Sequence, residues 1–112
     1  MGAGVESTSS YTCPGCGYHV DRMVSGYAAG PETQVVGVSC DDCRALRIAR
    51  IPGRPTEASA HAAAAAVAAG HIPAGVRCPH SARHHLTLWT APGPCPRCGT
   101  TLRQEKERQR RD

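Results

Sequence analysis

The chain has 112 residues and a formal net charge of +4, with no phenylalanine, one tryptophan and three tyrosines. That composition excludes a large aromatic core, and no apolar run is long enough to span a bilayer as a helix. Thirteen basic residues, all but one arginine, stand against nine acidic ones.

Taken in chain order, residues 1–10 are small and polar and are expected to form a disordered leader. They contain neither the basic start nor the apolar stretch of a secretory signal, so a cytoplasmic, reducing location is expected. In that setting the seven cysteines, an odd number, read as metal ligands rather than disulfides.

Residues 11–51 form the first expected module. Cys13-Pro14-Gly15-Cys16 is a knuckle: two intervening residues let both sulfurs face one centre while backbone N–H groups turn toward the thiolates. Gly17 follows it and tolerates the positive φ that such a turn demands; Arg44 stands in that position after Cys40-Asp41-Asp42-Cys43. Alternating apolar residues predict strands over residues 18–24, 33–39 and 44–49.

Pro52-Gly53-Arg54-Pro55 ends the module. Thr56 is the expected N-cap of an alanine-rich helix with Glu57 in its first turn and Gly70 as its stop. Residues 52–75 are thus expected to be a break followed by a helical spacer.

The second module, residues 76–102, opens with Cys78-Pro79-His80, predicts a strand over residues 84–90, and closes with the knuckle Cys95-Pro96-Arg97-Cys98 and Gly99. Residues 103–112, with five basic and three acidic side chains, are expected to be a solvated tail.

Four ligands per ion suit tetrahedral zinc. Pairing neighbours along the chain gives Cys13, Cys16, Cys40 and Cys43 as site one, and Cys78, His80, Cys95 and Cys98 as site two. Ser81 holds the position where a second cysteine would complete the Cys78 doublet, so a histidine is required. His80 is nearest, with His84 as the alternative and His85 behind it. In an interleaved arrangement the outer doublets share one ion and the middle doublet joins Cys78, at the cost of closing over the alanine-rich insert. His19, His61 and His71 read as ordinary surface histidines.

The expected fold class is therefore small, metal-stabilised and mainly β: two zinc-ribbon modules joined by an Ala-rich helix. Two Zn²⁺ ions are the expected cofactors. Together with seven thiolates they subtract about three charges, which brings the loaded chain near neutrality.

Residues 11–18, Val24-Ser25-Gly26, residues 39–46 and the stretch from Cys78 through Trp89 to Cys98 resemble small bacterial tandem zinc-ribbon proteins. That resemblance implies fold and metal and no activity. Cys13 to Gly17 and Cys95 to Gly99 also resemble the two CxxCG turns of rubredoxins, which implies iron as a second metal option.

With every coordination position filled by protein and no paired carboxylates or nucleophile–base set, the expected role is non-catalytic: a zinc-binding module for a protein partner, with no small-molecule substrate and no membrane. The alternative is a nucleic-acid-binding ribbon, which needs Arg44, Arg47 and Arg50 to line up with Arg22 or the tail, and Tyr18 or Trp89 exposed for stacking. A rubredoxin-like iron electron carrier is a further alternative. A hydrolytic zinc requires an open fourth position at site two.

Overall fold

A computed structural model describes residues 8–30 and 32–105. Among them are seven strands and one helix: β1 Thr8–Thr12, β2 His19–Val24, β3 Tyr27–Ala29, β4 Gln34–Cys40, β5 Ala45–Arg50, α1 Glu57–Ala68, β6 Leu86–Leu88 and β7 Arg103–Gln104. No helix among the described residues is long and apolar enough to cross a membrane.

The strands form two sheets. In the first, β1 lies between β2 and β7, antiparallel to both. In the second, β4 pairs along its length with β5, and its other side is shared by β3 and β6. β4 is the central strand because three valines and Cys40 suit burial on both faces, and six of its seven residues are buried.

Both sheets draw on both ends of the chain. Tyr11 pairs with Gln104 and Thr12 with Arg103, while Val38 to Cys40 pair with Leu88 to Leu86. The expected succession of two modules, 11–51 and 76–102, is therefore corrected to an interlaced arrangement in which each half completes a sheet begun by the other. Residues 8–10 of the expected leader lie in β1, and 103–104 of the expected tail form β7. Glu105 follows β7 with its N–H on the Ser10 carbonyl, and the rest of both, 1–7 and 106–112, lies outside the described residues.

The sheets meet where β2 crosses β4. A side chain at Gly37 would collide with the carbonyl oxygen of Val24, so glycine alone allows this approach. The core around the crossing contains Met23, Leu46, Leu102 and Trp89, the last 1% exposed. Tyr11 meets Trp89 edge to face with ring centroids 5.1 Å apart, and the indole N–H donates to the Pro94 carbonyl at 3.1 Å. The only tryptophan thus packs rather than presents a surface.

α1 begins at Thr56, whose hydroxyl accepts from the Ser59 N–H while the Ser59 hydroxyl accepts from the Thr56 N–H. The helix is not a free spacer. Ala63 is buried with Val36, Val38 and Ala49 on the second sheet, with Val67 packed beside them. Buried Gln34 fixes the helix start: its amide nitrogen donates to the Ser59 hydroxyl, and its oxygen accepts from Tyr27 at 2.7 Å. Alanine allows this docking because its small side chain lets the helix backbone approach the valines.

Candidate metal centres

All three cysteine doublets sit in the same turn, two between paired strands and the third inside the Pro94–Thr101 bridge. The N–H of the fifth residue donates to the carbonyl of the first: Gly17 to Cys13 at 3.0 Å, Arg44 to Cys40 at 2.8 Å and Gly99 to Cys95 at 2.9 Å. The donor residue takes positive φ in all three, +85°, +55° and +84°. The turn also aims N–H groups at the first sulfur: Gly15 and Cys16 at Cys13, Cys43 at Cys40 and Arg97 at Cys95, each at 3.3 Å. These donors stabilise negative charge on sulfur, which ligation requires.

Sheet pairing then decides which knuckles meet. β1 against β7 brings Cys13 and Cys16 to Cys95 and Cys98, while β4 against β6 brings Cys40 and Cys43 to Cys78 and His84. Within each group one donor atom per residue lies within 4.8 Å of all the others. A tetrahedral ion with metal–sulfur bonds of about 2.3 Å sets its sulfurs about 3.8 Å apart, and an imidazole nitrogen about 3.6 Å from each sulfur. The structure has Cys13–Cys98 at 3.4 Å, Cys16–Cys95 at 3.6 Å and Cys43–Cys78 at 3.8 Å. His84 Nδ1 lies 3.5 Å from both Cys40 and Cys43. These spacings far exceed a sulfur–sulfur bond of about 2.05 Å, and the cysteines are free. Both groups can hold a metal ion, one through four sulfurs and one through three sulfurs and a nitrogen.

This grouping corrects the pairing of neighbours along the chain. Cys40 and Cys43 do not join Cys13 and Cys16, nor do Cys95 and Cys98 join Cys78; the arrangement is the interleaved one. His80 is also displaced as fourth ligand. Its backbone N–H donates to the Cys78 sulfur at 3.4 Å, and the residue is exposed. Ser81 spends its hydroxyl on the Arg83 N–H at 3.1 Å. A further turn, with the His84 N–H on the Ser81 carbonyl at 3.2 Å, carries His84 to the sulfurs. His85 is held apart, its N–H on the Asp42 carboxylate at 2.9 Å.

The thiols are prepared unequally. The Thr100 hydroxyl and backbone, with Cys13, draw Cys98 down to about 6. Burial raises Cys78, but the His80 N–H and the side chains of His84 and Cys40 outweigh it and leave Cys78 at about 6. The Tyr18 backbone lowers Cys16, yet partial desolvation and three neighbouring thiols push it up to about 11 although it reaches the surface. Burial likewise raises Cys40. Each group thus offers a ready thiolate and at least one thiol whose proton an incoming cation must displace.

Two residues join the centres. Arg97, inside one knuckle, donates from Nε to the Arg44 carbonyl at 3.3 Å, and Arg44, at the end of another, donates from Nη2 to the Arg97 carbonyl at 2.9 Å. Arg97 also lies 5.0 Å above the Tyr18 ring, and the Tyr18 hydroxyl accepts from the Leu46 N–H at 2.9 Å. Sequence reasoning missed this bridge and the role of Thr100. A hydroxyl two residues beyond Cys98 was the available signal for Thr100. No local signal announced the arginine bridge, because its partners are 53 residues apart.

No protein-family model, curated protein or solved structure matches this chain.

Proposed function

We propose that the chain is a non-catalytic zinc-ribbon protein in which two structural Zn²⁺ ions hold an interlaced fold that docks a protein partner. The supporting observation is that each donor set supplies four protein atoms at tetrahedral spacing, leaving no position for a reactive water. Zinc suits both sets, and the three-sulfur, one-imidazole set favours it over iron. Protein docking is favoured over nucleic acid because the aromatic platforms are occupied: Trp89 is buried and Arg97 covers Tyr18. Native mass spectrometry with elemental analysis tests the metal reading. Two zinc ions per chain are expected; one ion, or a compact metal-free chain, contradicts it.

A second reading has its own support at the four-sulfur set. The two turns that resemble those of rubredoxins, Cys13 to Gly17 and Cys95 to Gly99, are the pair that meets there, and Cys16 and Cys98 reach the surface. An iron ion so placed would exchange electrons with a partner. Colourless protein with stoichiometric zinc after growth in iron-rich medium rules this out.

A further inference from the structure

β5 is the outer strand of the second sheet, paired on one side only, with Tyr18 against the start of its outward side. The direction of its backbone groups follows from two bonds: the Ile51 N–H donates across the ladder to Gln34, and the Leu46 N–H donates outward to Tyr18. Alternation then turns the N–H and C=O of Ile48 and Arg50 outward. Among the described residues no bond fills these groups. The other six-residue margin, β2, is broken by a bulge and by Arg22 at φ +52°, which spoils it as a template.

The side chains say what would fit. Ile48, 38% exposed, is the exposed large apolar residue among those described. Arg47 and Arg50 flank it on opposite faces of the strand, and the stretch from Arg44 to Pro55 contains four arginines and no acidic residue. A second copy of β5 would bring a second Arg47 and Arg50 to the same short edge with no acidic residue to offset them, which opposes self-pairing. A phosphate backbone would engage the N–H groups and leave the carbonyls unfilled. An extended peptide fills both, and carboxylates on it complement the arginines.

We propose that the β5 edge at Ile48 to Arg50, beyond the Leu46 N–H that Tyr18 already fills, binds an acidic extended segment of a partner protein as an added strand. This rests on the protein-docking reading and names its surface. The test uses the zinc-loaded full chain, ¹⁵N-labelled, with a short peptide alternating glutamate and valine, its lysine counterpart, and a single-stranded oligothymidylate.

In the free protein the Ile48 and Arg50 amides exchange rapidly with solvent. The acidic peptide shifts and protects them, while the lysine peptide binds about tenfold more weakly. Ile48→Pro removes the outward donor and no ladder bond, and weakens the acidic peptide about tenfold with both ions retained. Should that variant lose metal, Arg50→Glu decides: it weakens the acidic peptide and strengthens the lysine one.

Slow exchange of both amides in the free protein, peptide shifts mapping away from β5, or no binding of the acidic peptide overturns the edge assignment and leaves protein docking elsewhere standing. Oligothymidylate binding in place of the acidic peptide overturns both.

Discussion

Arg44 adopts a backbone conformation that Gly17 and Gly99 reach without steric cost, because the fifth position of each knuckle must turn left-handed to close on the first. An added methyl at Gly17 or Gly99 would meet nothing within 4 Å, so its effect is purely conformational. Gly17→Ala and Gly99→Ala are each expected to destabilise the metal-loaded protein by about 1 kcal/mol in denaturant unfolding. Arg44→Gly removes that strain but also the bond to Arg97, and should be neutral within about 1 kcal/mol, whereas Arg44→Ala keeps the strain, loses the bond and costs about 1–2 kcal/mol. A more stable Arg44→Ala than Arg44→Gly would contradict this account of the turn. At this scale the knuckles were legible in the sequence, since CxxC fixes their chemistry. His84 was not, because which histidine faces inward depends on the turn at Ser81 and on the Cys40–Leu86 register.

His19 is a second residue-scale case. Its imidazole bridges Asp21 at 2.8 Å and Glu105 at 3.2 Å, and Glu105 also accepts from the Thr12 hydroxyl. Asp21 above all, with help from Glu105, raises His19 above its ordinary 6.5; His19, with help from Ser10, lowers Asp21 below its ordinary 3.8. The raised histidine contributes fully below 6.5, and its contribution is lost as pH rises through the higher folded value. The lowered carboxylate contributes above 3.8, and its contribution is lost as pH falls through the lower folded value. The link is therefore strongest between 3.8 and 6.5. Titration of the His19 ring by NMR should give a midpoint above 6.5 that falls toward the ordinary value in Asp21→Asn, with Glu105 holding part of the rise. An unmoved midpoint would show the contact to be absent in solution.

At the scale of elements, β-pairing was legible in kind. The alternation predicted residues 18–24, 33–39 and 44–49, and strands occur at His19–Val24, Gln34–Cys40 and Ala45–Arg50. The strand predicted at 84–90 shrinks to Leu86–Leu88 because His84 and His85 are held in turns around the second centre. Helix α1 was legible from Thr56 and its alanines, but its docking was not: one buried residue, Ala63, leaves almost no apolar stripe to read. The element-scale prediction concerns the Arg44–Arg97 bridge. Since it ties one knuckle of each centre, Arg97→Ala is expected to weaken metal retention at both, each by a few-fold, in competition with a chromophoric chelator. Weakening confined to the four-sulfur centre that contains Arg97 would reduce the bridge to a local contact.

At the scale of the molecule, the interlaced plan explains why neighbouring doublets do not share an ion. Closing a longer loop costs only about 0.6 kcal/mol per doubling of its length, so proximity in sequence is a weak guide once strand pairing supplies the alternative. β1 with β7 and β4 with β6 make those choices, and neither β6 nor β7 exceeds three residues, too short to stand out in the sequence. With so few large apolar side chains, the proposed ions are expected to carry the fold, so chelation is expected to abolish tertiary structure, read as loss of Trp89 near-ultraviolet dichroism. Persistence of that signal in fully demetallated protein would mean that the core suffices alone.

The grouping of ligands itself can be measured by loading the protein with ¹¹³Cd, whose chemical shift separates a four-sulfur site from one with three sulfurs and a nitrogen, and then replacing Cys95 by serine. The interlaced fold predicts that Cys95→Ser perturbs the four-sulfur resonance and spares the mixed one. Perturbation of the mixed resonance with the four-sulfur one intact would restore pairing along the chain and contradict it.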